Sequence, residues 1–129
     1  MLNANIDDVR TGNAPVIFSA PHGGTSDGTN LTARTSSNCP DPDFATVRDD
    51  KTVELANMID SIFFAKTGKY PYMIIANVSR KYVDFNRKKL YACPKNAPNN
   101  EYVWDVYHNW IKKAEEFVEK ELNRRRPGQ

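Results

Sequence analysis

A histidine among glycines, a pair of adjacent aspartates and one arginine-rich segment have the residue types and spacing for chemistry. His22 stands in Pro21-His22-Gly23-Gly24, directly after an apolar run, where an imidazole can ligate a metal or carry a proton. The two glycines would let the backbone approach a metal or substrate with no Cβ in the way. A loop histidine satisfied by hydrogen bonds is the plainer reading of the same residues. Asp49 and Asp50 offer either an acidic ligand or a helix cap. Residues 79–87, SRKYVDFNR, set Arg80, Asp84, Asn86 and Arg87 close together. A guanidinium grips a carboxylate with two parallel hydrogen bonds, and a neighbouring Asn amide can donate another. Asn86-Arg87 therefore suits the carboxylate of an amino-acid substrate, with Asp84 holding the arginine in place. The alternative is a purely structural ion pair of Asp84 with Arg80 or Arg87.

These groups need elements to carry them. Ala14 to Ala20 is a short apolar run halted by Pro21 and glycines, which predicts a buried strand with His22 just past its carboxyl end. In open α/β sheets, ligands bind in the crevice outside such carboxyl ends. Residues 23–48 are rich in Gly, Ser, Thr, Asn, Asp and Pro and read as a long loop. A helix should start at Asp49 or Asp50 and end at Gly68, with Val53, Ala56, Ile59, Ile62 and Phe63 on its apolar face. YPYMIIANVS predicts a second buried strand. KYVDFNR alternates, so an extended segment would put Arg80, Tyr82, Asp84 and Asn86 on one face and Val83 and Phe85 on the other. The last element reads as a helix from about Asn100 to Asn123, lined by Val103, Val106, Tyr107, Trp110, Ala114, Phe117 and Val118. Arg124, Arg125 and Arg126 suit the negative end of its dipole, and Pro127-Gly128 stops it.

The chain has 129 residues, 40% hydrophobic and 26% charged, which predicts one soluble globular domain, and the order strand, helix, strand, strand, helix predicts an α/β fold. A net charge of +2 gives no reason to expect nucleic acid or membrane as the main partner. No apolar run is long enough to span a bilayer, and MLNANIDDVR does not read as a signal peptide. Two cysteines, Cys39 and Cys93, lie in Pro-rich loop text and fit no zinc knuckle. With the sequons at Asn30 and Asn77, they leave open a secreted, bridged protein or a cytoplasmic one with reduced thiols.

A strand ending in SAPHGG, a helix opening with RDDKTVELA, the segment SRKYVDFNR and the helix YVWDVYHNWI, in that order, resemble the N-formylglutamate amidohydrolase family. The resemblance covers most of residues 14–118. It implies a partial zinc-peptidase-like, phosphorylase/hydrolase-like three-layer sandwich on a mostly parallel sheet. It implies zinc held by His22 and Asp50, with Asp49 as the other candidate. Arg80, Asn86 and Arg87 would bind a substrate carboxylate with Asp84 in support, and the substrate would be a small acidic N-acyl amino acid cleaved at its amide bond. The family continues into a further metal histidine and an acidic group suited to general-base work, so the chain reads as an amino-terminal half. His108, the second histidine, sits among apolar helix positions and reads as structural. The expectation is thus a zinc-dependent amidohydrolase that is incomplete as this chain, pairing with a second copy or with a carboxyl-terminal fragment. The rival is a non-catalytic, possibly secreted binding module that keeps the Asn86-Arg87 pair.

Overall fold

The computed structural model describes residues 6–124, so the expectations for Arg125, Arg126 and Pro127-Gly128 lie outside the described residues. Strands β1 (Asp7–Arg10), β2 (Ile17–Ala20) and β3 (Tyr72–Ala76) form one sheet. Helices α1 (Thr52–Thr67), α2 (Lys89–Ala92) and α3 (Pro98–Arg124) complete the fold. The chain is mixed α/β, with sheet order β1-β3-β2.

Strand β3 is central because four of its five residues, Met73 to Ala76, are apolar and buried on both faces. Alternation divides them. Met73 and Ile75 join Ala20 of β2 and Ala56 of α1 in one cluster. Ile74 and Ala76 point the other way, into a larger cluster with Val83, Phe85, Val103, Tyr107 and Ala114. Helix α1 thus covers one face and α3 the other.

The sheet is mixed rather than mostly parallel. β2 runs parallel to β3, from Ile17 opposite Tyr72 to Ala20 opposite Ile75, as a strand-helix-strand unit requires. β1 is antiparallel, from Asp7 opposite Ala76 to Arg10 opposite Met73. The expected third strand, KYVDFNR, is a series of turns: Tyr82 N–H donates to Ser79 O at 2.9 Å and Arg87 N–H to Asp84 O at 3.2 Å. Val83, Asp84 and Phe85 are all buried, which alternating strand faces over one core would not allow.

Helix α1 ends as expected. Gly68 takes φ 70 and its N–H bonds to Phe64 O at 2.8 Å. Its start differs, because Lys51, in the left-handed region at φ 63, is the cap and no side chain caps the first turn. The apolar stripe is only half used: Ala56 is buried, while Ile59 and Ile62 are 39% and 48% exposed. Helix α3 buries Val103, Tyr107 and Ala114 and leaves Trp110 and Phe117 partly exposed.

Packing leaves no room for a side chain on either glycine after His22. A Cβ on Gly24 would fall 2.4 Å from the Asn77 carbonyl, and one on Gly23 would fall 2.5 Å from the Val53 side chain. The loop therefore passes tightly between the ends of β3 and α1. Ser26 then pairs with Val78 as an isolated parallel bridge. Both cysteines are free and buried. The Cys39 thiol donates to Tyr91 O at 2.9 Å. Burial, with the negative charge of Glu101 nearby, pushes the Cys93 thiol up to about 12.

Candidate functional site

His22 emerges at the carboxyl end of β2 and is almost fully buried. Its carbonyl accepts the Asp49 N–H at 3.1 Å, which brings the far end of the long loop back to the imidazole. Both ring nitrogens face carboxylates. Nδ1 lies 3.0 Å from Asp49 Oδ2 and Nε2 lies 2.6 Å from Asp84 Oδ1.

Asp84 is the hub. Its side chain is fully buried, its Oδ2 accepts from Arg80 Nε at 3.0 Å, and its Oδ1 also accepts the Asn86 N–H at 3.1 Å. Burial alone would raise its pKa. The hydrogen bonds from His22 and Arg80 outweigh that and hold the carboxyl well below the usual carboxylate range. Asp84 is therefore a fixed anion that orients the imidazole through Nε2, the usual role of a carboxylate behind a metal-ligating histidine.

That leaves a valence question at Nδ1. A neutral imidazole carries one N–H. With that hydrogen on Nε2 and donated to Asp84, the Nδ1 lone pair faces the Asp49 carboxylate across 3.0 Å, and the two repel. A proton or a cation between them removes the repulsion. Asp49 is half-exposed, so this point is open to solvent.

The residues expected from sequence divide accordingly. His22, Asp84 and Arg80 are brought together, and Asp49 joins them. Asp50 does not: it lies on the exposed side, 2.6 Å from Arg48. Asp49, the less favoured alternative, is the aspartate at His22. Asp84 supports His22 and Arg80 rather than Arg87. Arg80 is further tied by Nη1 to Val47 O at 3.2 Å. The Asn86 side chain is exposed, and the backbone of the pair is fixed by Asp84 and by Trp104 Nε1, which donates to Arg87 O at 2.9 Å. Arg87 Nε lies 3.3 Å from Asp41 Oδ2.

Sequence reading missed Asp41 and Arg34, both buried polar residues of the long loop. Arg34 Nη1 donates to Ala45 O at 2.7 Å and Arg80 O at 2.9 Å, which fastens the loop over the site. His108 is structural, as expected: Nε2 donates to Phe85 O at 3.0 Å and the ring lies against Trp104 with centroids 3.9 Å apart. Burial lowers its pKa.

Zinc, which the resemblance implies, finds a partial fit. His22 Nδ1 and Asp49 face one another and can share a cation, with Asp84 as the supporting carboxylate. Among the described residues, no group of three or more His, Cys, Asp or Glu side chains is arranged to hold a metal ion. Asp84, on the opposite ring nitrogen, is not a third ligand.

Compared with known proteins, the chain matches no family model, no curated protein and no solved structure. Among the described residues, no helix is long and apolar enough to cross a membrane.

Proposed function

We propose that the chain carries the first metal-binding and carboxylate-binding segments of an N-formylglutamate-amidohydrolase-like metallohydrolase, acting on the amide bond of an N-acyl amino acid. The observation that supports this most is the line Asp49–His22–Asp84, with a buried anion fixing one imidazole nitrogen and a second carboxylate facing the other. His22 and Asp49 would hold the zinc, and further ligands would come from outside the described residues. When bound, zinc supplies Lewis-acid polarisation of the scissile carbonyl and a bound water of lowered pKa. The chain's own residues do the rest: Asp84 keeps the imidazole Nε2 hydrogen in place, and Arg87 with Asn86 receives the substrate carboxylate a short distance along the same segment. In this reading the three-stranded sheet continues into a larger, mostly parallel three-layer sandwich.

One observation favours a second reading. Two facing ligands are one short of the usual catalytic zinc set, as a binding module that has lost the chemistry would be. The two readings share the carboxylate clamp.

The clamp is tested by calorimetry with N-formylglutamate. Arg87→Ala should weaken binding by roughly tenfold to a hundredfold, the equivalent of roughly 1.5–3 kcal/mol for lost charge-assisted hydrogen bonds. A wild-type chain that takes up no ligand at millimolar concentration would refute the clamp. A variant that is less stable but binds equally well would make the arginine structural.

A further inference from the structure

Arg87 does not act alone. The Asp41 carboxylate lies 3.3 Å from its Nε. The second guanidinium, Arg34, approaches the same Asp41 oxygen at 3.8 Å. Exposure falls along this row: the Arg87 side chain is 29% exposed, Asp41 1% and Arg34 0%. Asp41 is the one buried residue in the run Pro40, Asp41, Pro42, Asp43, and its other oxygen accepts the Asp43 N–H at 2.9 Å. Arg34 is pinned by the Ala45 and Arg80 carbonyls and lies over the Phe44 ring at 5.0 Å.

We infer that Arg34 and Asp41 are positioning residues for Arg87, and that Arg34 in particular keeps the Arg87 charge available to an acidic ligand. A carboxylate used only as a partner would grip the guanidinium fork with two parallel bonds. Asp41 instead meets it at Nε, while Nη1 donates to the Asn86 carbonyl at 3.0 Å. On its own, its charge would cancel that of Arg87. Arg34 offsets it, so the row carries one net positive charge, and that charge sits at its solvent end. The ligand class is a small carboxylate. The inference rests on the clamp reading and adds the residues that tune it.

Charge counting makes the test specific. Arg34→Gln leaves the row neutral and should weaken N-formylglutamate binding roughly tenfold, as loss of local charge complementarity does. Asp41→Asn keeps the shape and the Asp43 contact while raising the net charge, and should tighten binding severalfold. The double variant Arg34→Gln, Asp41→Asn restores one net charge and should recover wild-type affinity. Calorimetry is run on each variant after circular dichroism shows it folded, and Arg87→Ala serves as the control. A merely structural Arg34 would leave the double variant as weak as Arg34→Gln, and that result overturns the inference. So does Arg34→Gln binding like wild type while Arg87→Ala loses the ligand. If Arg34→Gln does not fold, the near-isosteric Asp41→Asn decides alone, and weakened or unchanged binding overturns the inference. Failure of the wild type to bind removes the clamp reading itself and the inference with it.

Discussion

Replacing Asp84 by alanine should lower the unfolding free energy by about 3–5 kcal/mol, the range seen when one partner of a buried ion pair is removed. The side chain is fully buried and serves the His22 ring, the Arg80 guanidinium and the Asn86 N–H together. Its loss leaves an imidazole hydrogen and a largely buried guanidinium nitrogen with no acceptor. Denaturant titration at neutral pH measures the effect, and a loss below about 1 kcal/mol would mean that the network contributes little. The pH dependence has a fixed sign. The folded-state pKa of Asp84 is depressed, so its contribution is present above the unfolded value of about 4 and is lost as pH falls below it towards the folded value. The difference between wild type and Asp84→Ala should therefore hold between pH 5 and 8 and shrink in acid.

Asp7 presents the opposite case. It lies on β1, facing the α3 side of the sheet, and both carboxylate oxygens are buried with no hydrogen-bond partner. Burial first, and the charge of Asp8 second, raise its pKa to about 7. A folded value above the unfolded one means that the protein is favoured below about pH 4 and loses stability as pH rises through 7. Linkage sets an upper bound of roughly 4 kcal/mol, and partial solvent access reduces this to about 2. Asp7→Asn should thus raise stability by about 2 kcal/mol at pH 8 and change it little at pH 4, read from thermal unfolding at both pH values. Equal effects at the two pH values would show that folding does not raise the Asp7 pKa.

The contrast between these two aspartates explains what a sequence can and cannot disclose. Strands β2 and β3 were legible as short apolar runs, β2 halted by Pro21 and glycines, and helix α3 by its apolar period. Strand β1 was not: four residues, three of them charged, carry no strand signature, and only the antiparallel register with β3 makes the segment a strand. KYVDFNR alternates like a strand, yet folds as turns that bury Asp84 between Val83 and Phe85. His22 and Asp84 stood out by residue type and position. The choice between Asp49 and Asp50 did not, since adjacent residues obey the same local rules and only the loop's return to the His22 carbonyl separates them. Arg34 gave no signal at all. Its partners at Ala45, Arg80 and Asp41 are assembled by the tertiary fold, and a single arginine in a polar loop looks like any solvated one.

The His22–Asp49 pair is tested most directly by titrating zinc into the isotope-labelled chain and following the His22 ring resonances by NMR, with Asp49→Asn and Asp50→Asn alongside. Zinc should shift the His22 signals through Nδ1, leave the Nε2 hydrogen bonded to Asp84, and lose its effect in Asp49→Asn but not in Asp50→Asn. Unmoved His22 signals at saturating zinc, or loss of the shift in Asp50→Asn with Asp49→Asn unaffected, would contradict the site.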